Sequence, residues 1–539
     1  MDWRTEEDQT RDPLSIVLRE IMPGSVPSPS ELSVEDRNHR QVAIRDLGVL
    51  ALLALALVLL HALTNGLYPF YRDELATLDD ARHLAWGYVV YPPLTPFFGR
   101  VALELFGTSP RGFRFFVAVA QGLVLLLTGL AARELGGKRP AQLVAALAAA
   151  IAGPALFTGS FVSYTSFDYL WWVVVAYFTI RLLRSGDPRW WVAIGAAIGA
   201  GMMTKYTMAY LAAGVVAGVI LTPARRSLRN PWLWCGAALA ALVWLPNLLW
   251  QVQHHFVSLD YLKSIHARDI RWGRADYFLL NQLWKSANVV TVPLWCAGLW
   301  YLFRTPEGRR YRVLGWMYVV PLVAYAASRA REYYLAPAYP MLLAAGAVWG
   351  EHWMSTLSVR AAARVHRVTR RAMAISGLAV AAVILPIAPL NSWWWRVADS
   401  INGNFNYSVG YQDMVETVAK VRDSLPVQER AGVGILAGDD GEAGAVDLYG
   451  PAYGLPRAIS GMNSNWLRGY GDPPPETVIV VGMTRTFVDR NFAACEVAGH
   501  LTNRYGVVNR AIGGYDDVFV CRQLRQPWPE FWRHFQYFG

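Results

Sequence analysis

The fold is decided by residues 47–67, which read LGVLALLALALVLLHALTNGL. A helix needs about 20 apolar residues to cross the hydrocarbon core of a bilayer, and this stretch holds no acidic residue, lysine or arginine. We therefore predict a transmembrane helix here. The polar residues before it, 1–45, are predicted to form a cytoplasmic tail.

The composition extends this prediction to the rest of the chain. Hydrophobic residues make up 54% of the 539 residues and charged residues 17%, whereas soluble domains average about 45–50% and about 25%. The net charge is +10, and the basic residues stand in short clusters between apolar runs. That distribution indicates orientation in a lipid bilayer and argues against a nucleic-acid partner.

The apolar runs predict a polytopic α-helical membrane protein with about eleven transmembrane helices. The candidate spans lie near 47–67, 113–133, 141–161, 168–183, 189–204, 206–222, 232–251, 287–303, 312–328, 335–354 and 373–390. The pair at 189–222 is nearly continuous and could also form one broken helix. Residues 46–390 would then be the transmembrane domain.

The basic clusters predict the orientation of these spans. With the N-terminus in the cytoplasm and alternating spans, every cytoplasmic segment is basic, as the positive-inside rule requires. The segments 68–112, 160–167, 252–286, 328–334 and 391–539 then lie outside, and 68–112 is the first outer loop. The expected location is the plasma (inner) membrane, with many passes.

The last segment, 391–539, is predicted to be an extracytoplasmic soluble α/β domain. A helical pattern at 411–424 precedes strand-like runs at 433–437, 477–482 and 518–521. This order indicates a small domain of the α/β or α+β class. Cys495 and Cys521 lie in this domain. An oxidising compartment would allow them to pair, but their positions in the sequence do not decide whether they do.

Three acids fall on the predicted outer face. Asp73 and Glu74 follow the first span directly, and Asp168 begins the fourth. A structural reading makes Asp73 and Asp168 helix N-caps and Glu74 a first-turn acid. The functional reading makes a carboxylate of the Asp73–Glu74 pair a general base at the membrane surface. Asp168 would face the interior or a cavity, as ionisable residues in spans usually do. Their position on one face favours a single site.

Cations fall on the same face. Arg114, Lys205, Arg329 and Arg331 each stand at the outer end of a span. Each could simply extend to the interface, but together they could bind a phosphate. Acids for a hydroxyl and cations for a phosphate suggest a lipid-phosphate substrate. A divalent cation is compatible with Asp73 and Asp168, although no metal-ligand motif such as Cys-x-x-Cys supports a metal site.

At these positions the chain resembles the polytopic glycosyltransferases of the GT-C class, which use polyprenyl-phosphate sugars. It is most similar to bacterial relatives of protein O-mannosyltransferases and lipid A aminoarabinose transferases. The resemblance rests on YRDEL at 71–75, AWGYVVYPPL at 85–94, GTSPRGFR at 107–114, FDY at 167–169, TKY at 204–206 and YYLAPAYP at 333–340. Residues 441–450 and 454–456 are similar to the tails of some bacterial members.

The resemblance implies a GT-C fold and an inverting sugar transfer from a polyprenyl phosphate to a hydroxyl of a lipid, glycan or protein. Asp73 would be the general base, Glu74 would position the acceptor or a cation, and Asp168 would be the second acid. Arg114 and Lys205 would hold the phosphate as it leaves.

The pattern departs from the aminoarabinose branch, in which a Lys often precedes the Pro pair and an Arg follows the acid pair. Tyr91 and Ala76 stand at those places, which disfavours that substrate and brings Arg331 into the expected phosphate site. Sugar or acceptor contacts are assigned to His83, Tyr91, Tyr333 and Tyr334. For His83, a lone histidine on a helix face, packing is the commoner role.

The alternative function is a membrane transporter or flippase for a lipid-linked or small polar substrate. A transporter predicts internal repeats and charges in the middle of its spans. The sequence shows no clear repeat, and its charges cluster at the outer ends of spans. The glycosyltransferase hypothesis is therefore preferred.

Overall fold

The computed structural model describes residues 34–274, 276–509 and 512–539. Residues 1–33 of the predicted tail lie outside this description. The chain divides into two compact units, Met1–Val49 and Leu50–Gly539. The elements that form the candidate site all belong to the second unit.

Helices dominate the described chain. In order, α1 to α12 are Val34–Thr64, Arg72–Arg82, Leu94–Phe106, Pro110–Phe113, Phe115–Glu134, Arg139–Ala150, Gly153–Ser160, Tyr164–Ser185, Trp190–Met202, Met208–Leu221, Pro231–Gln253 and Val257–Arg271. Helices α13 to α23 are Phe278–Asn281, Val292–Arg304, Arg312–Ala327, Tyr339–Ser355, Val359–Ile384, Trp393–Asn402, Tyr411–Ser424, Val427–Arg430, Asp440–Tyr449, Arg485–Asn491 and Trp528–His534. Short 3₁₀ helices occupy Pro223–Arg229, Val289–Thr291, Gly308–Tyr311, Glu332–Ala338, Phe405–Ser408, Gly450–Tyr453 and Asn463–Arg468.

Four of the described helices are long and apolar enough to cross a membrane, and the number rises to six if two bent pairs each form one span. The four are Ile44–Thr64, Pro110–Glu134, Tyr164–Ser185 and Pro231–Gln253. Each predicted span overlaps an observed helix, but several of these helices are too short to count alone. The predicted span at 141–161 bends by 62° between α6 and α7. The chain is thus a multi-pass membrane protein, while its orientation stays a prediction.

Glycines let the apolar helices approach closely. Helix α9 crosses α11 where Gly195 meets Gly236, and a Cβ at Gly195 would overlap the Gly236 carbonyl. Gly298 of α14 meets the carbonyl of Leu342 in α16 in the same way. Small residues at such crossings permit backbone contact, which favours helix association in a bilayer.

The residues at 189–222 form two helices, α9 and α10, and not one broken helix.

A five-stranded sheet lies in the last part of the chain. Its strands are Gly434–Ala437 (β1), Ala458–Ile459 (β2), Thr477–Val481 (β3), Phe492–His500 (β4) and Asp517–Leu524 (β5). Their order is β2-β1-β3-β5-β4, with β1 parallel to β2 and β3 and the remaining pairs antiparallel. The three predicted strands coincide with β1, β3 and β5.

A predicted helix and a cysteine pair also lie in this region. The predicted helix at 411–424 is present as α19. Cys495 and Cys521 face each other across β4 and β5 and form a disulfide. The limits of a separate domain at 391–539 stay a prediction.

Helix α21 packs directly on α2, the helix that carries Asp73. A Cβ at Gly444 would overlap the Leu75 carbonyl, and one at Gly441 would overlap the Arg72 side chain. These two glycines therefore permit the close contact between the helices. The contact brings Asp440, the first residue of α21, beside the acidic motif that follows the first span.

Candidate active site

A cavity of about 980 Å³ lies among α2, the segment before α8, the segment 261–285, the residues before α16, and the C-terminal region. Asp73, Tyr91, Arg331 and Tyr333 line it. The sequence predicts all four as site residues. The structure therefore brings together residues from parts of the chain that are far apart in sequence.

Asp73 presents an accessible carboxylate to this cavity. Its side chain is 54% exposed, and Arg72 holds Oδ1 through Nη2 at 2.9 Å and Nε at 3.0 Å. The hydrogen bonds of the described residues leave Oδ2 without a donor. The N-cap of α2 is Tyr71, so the structural reading of Asp73 as an N-cap is wrong.

Glu74 points away from the cavity and is fully buried against Arg114. Its Oε2 lies 2.6 Å from Nη2 of Arg114. The carboxylate also accepts the backbone N–H groups of Val162 at 2.7 Å and Tyr71 at 2.8 Å. Glu74 therefore joins α2 to the start of α5 and to the segment before α8.

Arg114 has its hydrogen-bonding capacity filled by the protein. Besides Glu74, it donates to the carbonyls of Asn65 at 2.6 Å, Tyr68 at 3.1 Å and Pro69 at 2.8 Å. The guanidinium is 0% exposed. Neither side chain lines the cavity, so the assignment of Arg114 to the lipid phosphate and of Glu74 to the acceptor stays a prediction that the observed contacts do not support.

Asp168 and Lys205 lie close together but behind the cavity wall. Asp168 is 1% exposed and accepts hydrogen bonds from Trp172 at 3.1 Å and Thr207 at 3.0 Å. Lys205 Nζ lies 3.8 Å from its Oδ2. Because Ser163 caps α8, the reading of Asp168 as an N-cap is wrong.

The tyrosines around Lys205 separate it from the cavity. Its Nζ lies 4.4 Å from the ring centre of Tyr334 and 5.3 Å and 5.5 Å from those of Tyr164 and Tyr333. Tyr164 and Tyr333 line the cavity. Lys205 can thus act on a ligand only through these rings or after a movement of them, and its role as a phosphate ligand stays a proposal.

Arg331 belongs to an arginine cluster, formed by Arg268, Arg274 and Arg331, that surrounds Asp269. Arg331 Nε lies 2.5 Å from Asp269 Oδ2. Arg268 and Arg274 approach Oδ1 at 3.7 Å and 3.6 Å. All three arginines line the cavity. One carboxylate cannot neutralise three guanidinium groups, so the cluster leaves excess positive charge at this wall.

Of the residues predicted to contact the sugar or acceptor, Tyr91 lines the cavity and His83 does not. The Tyr91 hydroxyl donates to Asp80 at 2.6 Å, and burial together with the charge of Asp80 raises the pKa of Tyr91 well above its usual value. His83 instead lies 3.2 Å from the Asp79 carboxylate and does not line the described cavity. The assignment of His83 to substrate therefore stays a prediction that the position of its side chain does not support.

Asp440 is a cavity acid that sequence reasoning missed. It follows the N-cap Asp439 of α21 and lines the cavity with Asn463, Ser464 and Asn465. Burial raises the pKa of Asp440 to about 6, with Asp439 adding to the rise and Arg72 opposing it. The only sequence signal for this wall was the similarity of residues 441–450 to the tails of bacterial relatives.

The described residues give little support to a metal at the predicted acids. Both oxygens of Asp168 already accept hydrogen bonds, and the residue does not line the cavity beside Asp73. A metal-sized group of ligands occurs instead at His500, Asp516 and Asp517, on and beside the sheet and outside the cavity lining. The residues present therefore do not fit a cation held between Asp73 and Asp168.

Comparisons with known proteins agree with this architecture. The family model of dolichyl-phosphate-mannose-protein mannosyltransferases matches residues 90–250. The lipid A galacturonosyltransferase RgtD of Rhizobium johnstonii is 28% identical over 303 residues, which are 53% of this chain and 61% of that protein. The chain therefore spans about three fifths of this relative.

Two solved structures of ArnT from Cupriavidus metallidurans share the fold. The apo structure aligns with a TM-score of 0.54 at 16% identity, and the undecaprenyl phosphate complex with 0.52 at 17%. Both alignments cover 87% of this chain and 97% of ArnT. The chain thus has the fold of ArnT and resembles the glycosyltransferases of the GT-C class, which confirms the resemblance found in its motifs.

Proposed function

We propose that this protein is a membrane glycosyltransferase that moves a sugar from a polyprenyl-phosphate donor to a hydroxyl of an extracytoplasmic lipid, glycan or protein. The transfer inverts the anomeric centre, and Asp73 is the general base. The names of the similar proteins support the substrate class, since one acts on lipid A and another binds undecaprenyl phosphate.

The observation that carries the proposal is the contrast between the two adjacent acids. Glu74 is sequestered by Arg114, whereas the neighbouring Asp73 is 54% exposed in the cavity. Arg72 fixes one oxygen of Asp73, which orients the carboxylate and leaves the other oxygen for a proton. A general base needs this combination of fixed geometry and access to the acceptor hydroxyl.

The arginine cluster supplies the opposite charge. As the sugar leaves its phosphate, negative charge grows on the phosphate oxygens, and fixed cations in a cavity stabilise that charge. Arg268, Arg274 and Arg331 present guanidinium groups, which bind phosphate through paired hydrogen bonds. Among the described residues, Asp269 is the counter-ion that all three share, and one carboxylate leaves the charge excess that this role requires.

The transfer requires only the donor, the acceptor, Asp73 and water. The acceptor oxygen gives its proton to Asp73 and forms a bond to the anomeric carbon from the face opposite the phosphate. The bond between that carbon and the phosphate oxygen breaks, and its electron pair leaves with the polyprenyl phosphate. Loss of the proton from protonated Asp73 to water restores the site.

The transfer assay tests this proposal. Purified protein in detergent receives radiolabelled polyprenyl-phosphate-linked sugars (mannose, glucose, galacturonic acid and arabinose) together with a membrane extract as acceptor. We expect release of polyprenyl phosphate and labelling of a product by at least one donor. If the protein bound these donors and released no polyprenyl phosphate, the glycosyltransferase proposal would be wrong.

A pair of arginine variants tests the phosphate site. Arg331→Gln is expected to raise the donor KM about 10- to 100-fold, the range for one lost hydrogen bond to a charged group. Arg329→Gln is the matched control, because Arg329 pairs with Asp276 and does not line the described cavity. Equal donor KM values for the two variants would remove the phosphate role of Arg331.

A further inference from the structure

Asp440 differs from the other acids of the cavity because it has no ion pair. Asp73 pairs with Arg72, Asp276 with Arg329, and Glu332 with Lys285. For Asp440, the described residues provide no cation within ion-pair distance, and only its Oδ2 accepts a hydrogen bond. Its Oδ1 is thus available to a ligand in the cavity.

Asn463 fixes the direction of this carboxylate. Its Nδ2 donates to Asp440 Oδ2 at 2.7 Å, and its own backbone N–H donates to the Tyr537 carbonyl at 3.0 Å. The residue has a φ of +50°, a left-handed conformation that asparagine tolerates better than most side chains. Asn463 thus begins a turn that places three polar side chains in succession.

The next two residues extend this polar wall. Ser464 accepts the backbone N–H of Val89 at 3.1 Å, and that contact leaves its hydroxyl proton for another acceptor. Asn465 accepts from Arg468 at 2.9 Å through its side-chain oxygen, which leaves its amide hydrogens. Asp440, Asn463, Ser464 and Asn465, here called the polar wall, thus offer both donors and acceptors to the cavity.

The polar wall stands next to the general base. Gly441 and Gly444 allow α21 to touch α2, and Arg72 interacts electrostatically with both Asp73 and Asp440. The arginine cluster belongs instead to the segment 268–274 and the residue before Glu332. The cavity therefore has one cationic wall and one wall of carboxylate, amide and hydroxyl groups.

We propose that the polar wall is the acceptor site and holds a sugar acceptor through its ring hydroxyls, with Asp440 accepting from a hydroxyl near the one that reacts. This inference rests on the proposed function and adds the class of acceptor. Sugar hydroxyls both donate and accept hydrogen bonds, so they match a mixture of carboxylate, amide and hydroxyl groups.

A polypeptide acceptor suits this wall less well. One recurring way to bind an extended peptide is backbone pairing at a sheet edge, with pockets for alternate side chains. The polar wall consists of short side chains from a helix start and a 3₁₀ turn. The carbohydrate therefore is the acceptor that the geometry favours, and a protein acceptor is an outcome that the experiment can detect.

The test compares wild type, Asp440→Asn and Asn463→Ala in the transfer assay, with the membrane extract titrated as the acceptor. We expect Asp440→Asn to raise the amount of extract for half-maximal rate about 10- to 100-fold, and Asn463→Ala about 3- to 10-fold. Asp489→Asn, an exposed acid paired with Arg485, is the control.

Each outcome separates this inference from the proposed function. Wild-type transfer with the same extract requirement in all variants would overturn the acceptor site and leave the glycosyltransferase proposal standing. Label that a protease releases as peptides would overturn the sugar acceptor, whereas protease-resistant carbohydrate label supports it. If Asp440→Asn unfolds, as a lowered melting temperature would show, Asn463→Ala decides the question.

Discussion

The buried pair of Glu74 and Arg114 tests whether these residues act in catalysis or in stability. The sequence motif suggests catalysis, whereas the structure buries the two side chains against each other. Both side chains are 0% exposed, and Arg114 also binds three carbonyls. Arg114→Met removes the guanidinium and leaves the Glu74 carboxylate buried without its counter-ion. Breaking such a pair costs about 3–5 kcal/mol, which for a chain of 539 residues corresponds to a fall of roughly 3–4 °C in the melting temperature.

The assay is thermal unfolding in detergent, followed by size-exclusion chromatography, beside the donor KM of the surviving protein. Arg111→Met is the matched control, since Arg111 is exposed and stands three residues before Arg114. The double variant Glu74→Gln/Arg114→Met should lose less stability than the sum of the single variants, because it removes both charges together.

The opposite pattern would refute the scaffold role. If Arg114→Met unfolds at the wild-type temperature and raises the donor KM tenfold or more, Arg114 contacts the lipid phosphate. The closed position of the guanidinium would then be only one state of the site. A stability loss with an unchanged donor KM in the folded fraction is the result that the structure predicts.

Two further predictions concern the C-terminal wall of the cavity. Gly444→Val should lower the melting temperature and reduce the transfer rate at least tenfold, because its side chain would overlap the backbone of α2. Gly432→Val, at an open position, should change neither quantity. Since the pKa of Asp440 is raised to about 6, its accepting form is lost as the pH falls through 6. The amount of extract for half-maximal rate should therefore rise about tenfold at pH 5, and Asp440→Asn, titrated in parallel, should not show this rise.

Much of the fold could be predicted from local patterns. The apolar run at 47–67 and the strand-like run at 477–482 each depend on neighbours in the sequence, and both match elements of the structure. Patterns of this kind set the type of an element. They do not set its length or its bends, so the span at 141–161 could not be predicted as two helices at 62°.

The site was harder to predict because it depends on side-chain direction. Asp73 and Glu74 are adjacent in the sequence, yet on a helix adjacent residues point in different directions, and only Asp73 faces the cavity. The sequence could not show that Arg114 would face Glu74 across a distance of 40 residues. Asp440 enters the site through the packing of α21 on α2, which no local motif specifies.

The most direct test of the central claim is the rate at which Asp73→Asn releases polyprenyl phosphate from a donor that wild type uses. The substitution keeps the size of the side chain and removes the base. We predict a loss of about 10²–10⁴-fold in kcat, with a melting temperature and a donor KM close to those of wild type. A folded Asp73→Asn protein that turns over at the wild-type rate would contradict the account.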